Sequence, residues 1–281
     1  MKSITLLLVL TTHLIFLKDL RGNNDSLYFF TSNLLYVPVE ASIIEAKNGV
    51  TKNINNEYLT LNIGASIDII GLKAKKNTYS FGIDFFTFSN LRSEDNFKFP
   101  VDAIDYLFGV NFNLKRKLSP KNTLTSRFRI SHISSHLEDG HIYEDPDTIF
   151  TPYIFSKEFL ELSAMINYMI SKDLGFKGMA GLNYIFHSIP GEISPFSGQF
   201  GLEFRYYISE IFNFYISNDA TLATVNSSSN LNESFETGIS FGKINSRAIN
   251  LYFDYYDGQD YRGQYYGNYL NFKGLGMKFK F

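Results

Sequence analysis

The chain of 281 residues contains no cysteine and no tryptophan, and it has almost no net charge. Without cysteine it cannot form a disulfide, a thiolate metal site or a cysteine nucleophile. Its 26 basic residues are balanced by 28 acidic ones, which excludes the basic field that nucleic-acid-binding proteins present, so no nucleic-acid partner is expected. No apolar run reaches the roughly 20 residues that a membrane-spanning helix needs.

The N-terminus has the pattern of an export signal. Lys2 precedes an apolar run from Ile4 to Leu17, and charged residues follow it. This pattern predicts a secretory signal peptide over residues 1–22, although a short uncleaved anchor is an alternative. Residues 23–38 are interpreted as an inner plug or a periplasmic lead-in. The mature protein is then either exported and soluble, or it crosses a membrane as strands.

From about Tyr58 onward, apolar and polar residues alternate with a period of two. Residues 59–69, 79–85 and 104–114 show it most clearly, and the polar positions include Asp, Asn, Lys and Gly. Such alternation predicts strands with one apolar and one polar face. The segments reach roughly 10–14 residues, and 17% of the chain is aromatic, as in barrels with an apolar outside and a polar inside.

The spacing of the segments predicts an all-β fold, a single transmembrane antiparallel up-and-down barrel of about twelve strands over residues 39–281. The first strand is expected near residues 40–46 and the last over residues 269–281. Short turns alternate with longer polar connections, as expected for the two rims of an outer-membrane barrel. The short turns are 118–121, 171–173, 209–210 and 245–246, and the longer connections are 92–100, 137–151, 188–195, 225–232 and 257–268.

The chain ends with an aromatic residue on an alternating strand. Phe281 follows Met277 and Phe279 on the same face. This ending resembles the insertion signal of bacterial outer-membrane proteins. The resemblance implies a location in the bacterial outer membrane after export across the inner membrane, with the outer-membrane insertion machinery and membrane lipids as partners.

A histidine and a serine share one face of the strand predicted over residues 122–136. Leu124, Phe128 and Ile130 mark the even positions as lipid-facing, whereas the arginines at odd positions mark the lumen. His132 and Ser134 therefore lie on the outside, roughly 6.5–7 Å apart along the strand. At that distance an imidazole can accept the proton of a serine hydroxyl.

The following strand supplies an acid on the same face. An antiparallel register with an index sum of 290 pairs His132 with Glu158 and Ser134 with Ser156, and it also pairs apolar residues with each other. Registers shifted by two residues remain open. A carboxylate beside a histidine beside a serine makes the serine nucleophilic, since the acid orients the imidazole. The candidate catalytic residues are His132 as base, Ser134 as nucleophile and Glu158 as orienting acid.

This arrangement resembles two families of outer-membrane acyl hydrolases, the phospholipase A barrel and the lipid A deacylase barrel. Both carry His-x-Ser on a lipid-facing strand with a polar partner on the next strand. The glutamate is closer to the deacylase, and about twelve strands are closer to the phospholipase. The resemblance implies a serine acyl hydrolase that acts on outer-leaflet lipids.

A larger part of the chain resembles an uncharacterised family of bacterial outer-membrane barrels. The resemblance lies in the His-x-Ser-Ser-His pattern of residues 132–136, the acidic residues after it, the Lys-Glu step at 157–158 and the Tyr-Tyr-Asp-Gly run at 255–258. It implies the barrel fold and directs attention to residues 132–139 and 158. It implies no activity.

Other interpretations remain open from the sequence alone. The protein is alternatively a non-catalytic barrel: a narrow channel, an adhesin or a structural protein. Inward-facing Arg127, Arg129, Glu161, Glu203 and Arg205 suit a lumen closed by ion pairs or a narrow pore. The weak candidates for metal ligands are His136, Glu138, Asp139 and His141, which together could hold a divalent cation. Calcium is the one possible cofactor, and no other is expected. His187 is interpreted as an interfacial residue.

Overall fold

The computed structural model describes residues 26–31, 33–137, 154–191, 193–225, 228–242 and 247–280. The predicted signal peptide, 1–22, and the terminal Phe281 lie outside these residues. In the part described, no helix is long and apolar enough to cross a bilayer.

The described residues form thirteen strands and two single 3-10 turns, at Asp95–Phe97 and Gly263–Tyr265. Each strand from β2 onward pairs antiparallel with the next, and β13 pairs back with β2. Twelve strands therefore close into one antiparallel barrel, which confirms the predicted fold. The strands are β1 (Ser26–Phe29), β2 (Asn48–Asn53), β3 (Tyr58–Lys73), β4 (Asn77–Arg92), β5 (Val101–Ser119), β6 (Asn122–Leu137), β7 (Phe155–Met169), β8 (Leu174–Ile189), β9 (Phe196–Tyr207), β10 (Phe212–Val225), β11 (Ser228–Gly242), β12 (Ala248–Gln259) and β13 (Tyr269–Lys280).

The two faces of the wall differ as the alternation predicts. Large apolar side chains are exposed on the outside, among them Phe85, Phe108, Phe112, Leu182 and Phe200. The inside carries buried polar and charged groups along whole strands, which a water-soluble sandwich would not tolerate in its core. This inside-out distribution is that of an outer-membrane barrel, whose apolar band faces hydrocarbon.

The connections define two rims. Segments 74–76, 120–121, 170–173, 208–211 and 243–247 join strands at one end, here called the inner rim because both ends of the barrel sequence lie there. The opposite end, the outer rim, carries 54–57, 93–100, 138–154, 190–195, 226–227 and 260–268. One connection differs from the prediction. Residues 228–232 belong to β11, so only 226–227 separate it from β10.

The chain between β1 and β2 leaves the wall and enters the lumen. β1 pairs with the inner-rim end of β3, and β2 pairs with the other end of the same strand, so the two act as halves of one interrupted strand. Residues 36–46 lie between them, inside the barrel, and each is buried or half-buried. The strand predicted near residues 40–46 is therefore wrong. This stretch, here called the lumen segment (residues 36–46), is held by polar contacts and not by a strand ladder.

Ion pairs fix the lumen segment to the opposite wall. Glu45 binds Arg127 and Arg129, and both guanidinium groups also bind Glu161, with Arg127 Nη2 and Glu161 Oε1 2.7 Å apart. Glu40 accepts a hydrogen bond from Arg205 Nη2 at 2.7 Å. These contacts show that the predicted inward arginines and glutamates form ion pairs in the lumen. Buried charges persist when they are paired and hydrogen-bonded in this way.

Glu40 makes the attachment of the lumen segment depend on pH. Burial alone would raise the pKa of its carboxyl, but the neighbouring Lys278, Lys280 and Arg205 hold that pKa well below its usual range. A carboxyl with a lowered folded-state pKa stabilises the fold above its unfolded pKa of about 4.3, and this stabilisation is lost as the pH falls through the folded value.

We therefore expect wild type to unfold at a higher temperature than Glu40→Gln at pH 7, and the gap to persist down to about pH 4.3. Below that pH the two melting temperatures should converge. Thermal unfolding of both proteins in the same detergent, followed by circular dichroism, measures this. A gap that stays constant down to about pH 2 would contradict it.

Candidate functional site

The side chains of His132, Glu158 and His187 form a row across the outer face of β6, β7 and β8. The β6–β7 register pairs His132 with Glu158, and Ser134 with Ser156. This is the predicted index sum of 290, and it is fixed by apolar pairs nearer the inner rim such as Phe128 with Leu162. The β7–β8 register then places His187 opposite Glu158.

Glu158 is the centre of the row. Its Oε1 lies 2.7 Å from Nδ1 of His132 and accepts a second hydrogen bond at 3.0 Å from Ser156 Oγ. Its Oε2 is hydrogen-bonded to Nδ1 of His187. The carboxylate is 25% exposed, whereas the imidazole of His132 is 42% exposed. The acid is therefore covered by its partners, and the histidine remains open to a ligand from the lipid side.

His187 enters the row through a β-bulge, and the sequence analysis missed this contact. The regular β7–β8 ladder pairs Phe159 with Ile185, but Glu158 pairs with His187, so Phe186 is the extra residue. A bulge shifts every later side chain of its strand to the other face. Without it, His187 would face inward. The available sequence signal is the break in alternation at the adjacent Phe186 and His187, whereas the sequence analysis interprets His187 only as an interfacial residue.

Ser134 lies on the same outward face as His132, two residues nearer the outer rim. Among the described residues, no hydrogen bond joins its hydroxyl to the imidazole. Nδ1–H of His132 donates its hydrogen bond to Glu158, so Nε2 is the nitrogen left to accept a proton. In a serine hydrolase the same division holds: the acid binds Nδ1–H and the nucleophile uses Nε2.

Apolar and aromatic side chains surround the histidine and the serine. Phe108 pairs with His132 across β5–β6, and Tyr106 pairs with Ser134. The Tyr106 and Phe108 rings stack with centroids 6.5 Å apart. Ile130, the next outward residue toward the inner rim, is exposed. Ile130 and Phe108 therefore give His132 an apolar surround on the outer face of the barrel.

The neighbouring Ser135 points the other way and has a structural role. It is buried in the lumen, where its Oγ accepts a hydrogen bond at 3.2 Å from the backbone N–H of Gln264. Its carbonyl oxygen accepts another at 3.1 Å from Gln264 Nε2. Ser135 thus anchors the 260–268 connection inside the outer rim, and its lumen-facing orientation agrees with the prediction.

Of the four candidate metal ligands, only His136 lies within the described residues. His136 is exposed on the outward face of β6, with its ring edge against Tyr106 at 5.8 Å. Glu138, Asp139 and His141 lie outside the described residues. Within the ranges described, no group of three or more His, Asp or Glu side chains is arranged to hold a metal ion. A divalent cation at residues 136–141 therefore stays a prediction.

Solved structures with similar architecture are barrels, at low identity. The β domain of the Bordetella autotransporter BrkA is 13% identical, with 83% of this chain and 97% of that chain covered and a TM-score of 0.47. The outer-membrane-expressed OmpT of Vibrio cholerae is 8% identical, with 93% and 99% covered and a TM-score of 0.45. The Pseudomonas putida toluene transporter TodX is 9% identical, with 91% and 76% covered and a TM-score of 0.43.

A search of curated proteins gives no match. A family model does match, over residues 85–281, and its description reads "Protein of unknown function (DUF1207)". The matched segment is more than half of the chain and includes His132, Ser134, Glu158 and His187. The chain therefore belongs to the DUF1207 family.

Proposed function

We propose that this barrel is a serine acyl hydrolase of the bacterial outer membrane, which cleaves ester-linked acyl chains from lipids of the outer leaflet. The observation that carries the proposal is the 2.7 Å contact between Nδ1 of His132 and Glu158 on the lipid-facing side of the wall. This contact orients the imidazole so that Nε2 can serve Ser134, two residues further along the same face.

The proposed reaction has two steps. Ser134 Oγ attacks the ester carbonyl carbon while its proton passes to Nε2 of His132, and Glu158 stabilises the resulting imidazolium. Collapse of the tetrahedral intermediate breaks the ester C–O bond, and His132 returns the proton to the departing alcohol. A water molecule, deprotonated by His132, then attacks the acyl-serine and releases the fatty acid and free Ser134.

The position of the site supports a lipid substrate more than a dissolved one. His132 and Ser134 lie near the outer end of β6, on the side that carries the exposed apolar band. In contrast, the lumen is crossed by the lumen segment, whose Glu45 is ion-paired with the β6 arginines. A lipid of the surrounding leaflet can reach the proposed nucleophile by lateral diffusion, without passing this obstruction.

Covalent labelling tests the nucleophile. We expect a fluorophosphonate with a long alkyl chain to label the refolded wild-type barrel on Ser134, and the Ser134→Ala variant to remain unlabelled. The matched control is Ser126→Ala, since Ser126 lies on the same strand and faces outward opposite Ala164, but eight positions (134 minus 126) closer to the inner rim.

Peptide mapping by mass spectrometry identifies the labelled residue, and the same preparations are assayed for fatty acid released from phospholipid and lipid A vesicles. Loss of both signals in Ser134→Ala, with both retained in Ser126→Ala, supports the proposal. If wild type is neither labelled nor releases fatty acid, or if Ser134→Ala is labelled as fast as wild type, the proposal is wrong.

A further inference from the structure

A cavity of 170 Å³ lies inside the barrel, between the lumen segment and the outer rim. Ile43 and Ile44 of the lumen segment line its inner end, and Ile193 and Tyr266 of the outer-rim connections line its outer end. Because the lumen segment crosses the barrel below it, the cavity belongs to the outer half of the lumen.

One wall of this cavity is apolar, unlike most of the lumen. Phe155 and Phe159 of β7 are buried in it, and Ile44 and Ile185 pack against them. The ring of Tyr266 lies against that of Phe155, with centroids 5.7 Å apart. An apolar cavity of about 150 Å³ is large enough for benzene, so this one has room for a compound with a single ring.

A lysine between the two phenylalanines brings a positive charge to the same wall. Lys157 lines the cavity, faces the lumen and is half-buried. Its Nζ lies 5.9 Å from the centre of the Phe159 ring. No carboxylate of the described residues is within ion-pair distance of it, whereas the lumen-facing Lys177 and Lys278 are both paired with glutamates. Lys157 therefore differs from the cations that hold the lumen segment.

The acids near Lys157 do not neutralise it. Asp105 is the one whose charge acts on the lysine, but its Oδ2 accepts a hydrogen bond at 2.8 Å from a backbone N–H of the 260–268 connection. The acids that line the cavity also have partners of their own: Glu161 binds Arg127 and Arg129, Asp260 binds Arg262, and Asp219 accepts a hydrogen bond from Gln199.

A second cation beside the apolar wall has a donor left over. The guanidinium carbon of Arg129 lies 6.0 Å from the centre of the Phe159 ring, and the residue lines the cavity. Its Nε has no hydrogen-bond partner in the described part of the chain. Cations whose donors are unused in a partly desolvated site favour a carboxylate, which accepts charge-assisted hydrogen bonds.

We propose that this cavity is a binding site for a small aromatic monocarboxylate of about the size of benzoate. Its carboxylate accepts charge-assisted hydrogen bonds from Nζ of Lys157, and its ring lies against Phe155 and Phe159. The site is independent of the hydrolase reaction, since Lys157 and Glu158 are adjacent in β7 but face opposite sides of the wall.

Isothermal titration calorimetry of the refolded full-length barrel in detergent tests the site, with benzoate, benzamide and acetate as probes. Benzamide has the ring without the charge, and acetate has the charge without the ring. We expect wild type to bind benzoate at least about tenfold more tightly than either, because only benzoate uses both the lysine and the apolar wall. Equal affinity for benzamide or acetate, or no binding of benzoate, would overturn the proposal.

Lys157→Gln tests the proposed contact, and Lys115→Gln is the matched control. Lys115 also faces the lumen and has no ion pair within the described ranges, but it lies at the inner rim, on the other side of the lumen segment. We expect Lys157→Gln to lose the preference for benzoate over benzamide, and Lys115→Gln to keep it.

A heat-dependent shift in gel mobility establishes that each variant is folded. If Lys157→Gln binds benzoate as tightly as wild type does, or if both variants lose affinity equally, Lys157 does not bind the carboxylate and the proposal is wrong. The comparison of the three probes uses wild type alone, so it does not depend on the folding of a variant.

Discussion

His132→Ala is expected to lower kcat for acyl-ester hydrolysis by at least about 10³-fold, because Ser134 loses the base that accepts its proton. KM should change little, since the proposed contacts of the acyl chain are with Phe108 and Ile130 and not with the imidazole. The measurement is initial-rate kinetics of fatty acid release by the refolded barrel, with substrate dispersed in the same detergent for every variant.

His136→Ala is the matched control for this prediction. His136 lies on the same strand and the same outward face, and it is exposed. Its ring contacts Tyr106 but has no carboxylate partner among the described residues. The control should keep a rate close to that of wild type. Equal rates in His132→Ala and wild type would show that the imidazole does not act as the base, even if Ser134 is labelled.

The second large effect concerns stability. Glu161→Gln removes the carboxylate shared by Arg127 and Arg129 and leaves both buried guanidinium groups with Glu45 alone. Breaking a buried pair by removing one partner costs about 3–5 kcal/mol, since the remaining charge is desolvated and uncompensated. We expect the free energy of unfolding to fall by that amount, measured by urea titration of the barrel in lipid vesicles.

Glu233→Gln provides the comparison. Glu233 is exposed, and its Oε1 accepts a hydrogen bond at 2.9 Å from Nδ2 of Asn218. Its effect should be below about 1 kcal/mol. If Glu161→Gln is no more destabilising than Glu233→Gln, the buried ion pairs do not hold the lumen segment in place, and another contact must do so.

The sequence was sufficient to predict the barrel and the pairing of His132 with Glu158. The reason is physical. Alternation records which face of a strand meets lipid, and a one-residue slip of β6 against β7 would turn apolar side chains into the lumen. The pairs Phe128–Leu162 and Ile130–Leu160 therefore restrict the register, and His132 meets Glu158 as a consequence. Nothing in the pattern had excluded a shift by two.

Two features were beyond the reach of the pattern. His187 joins Glu158 only because a bulge at Phe186 changes the face of the strand, and a single extra residue leaves hardly any trace in the alternation. Residues 40–46 were predicted as a strand from the spacing of the connections, although the clear alternation begins only at about Tyr58. In the polar lumen, Glu40 and Glu45 are bound by cations from distant strands, and these long-range contacts leave no periodic pattern in the sequence.

The interrupted strand at the seam of the barrel couples closure of the wall to capture of the lumen segment. Val50 of β2 pairs with Met277 of β13, so the seam joins the two ends of the barrel sequence. β13 also carries Lys278, which binds Glu40 at 3.0 Å. When the seam opens, the hydrogen bonds between β2 and β13 and the ion pair between Lys278 and Glu40 are lost together. We therefore expect the amides of β2, β13 and residues 36–46 to exchange with solvent as one cooperative unit, and the seam to form last because its pairing is the least local in the chain.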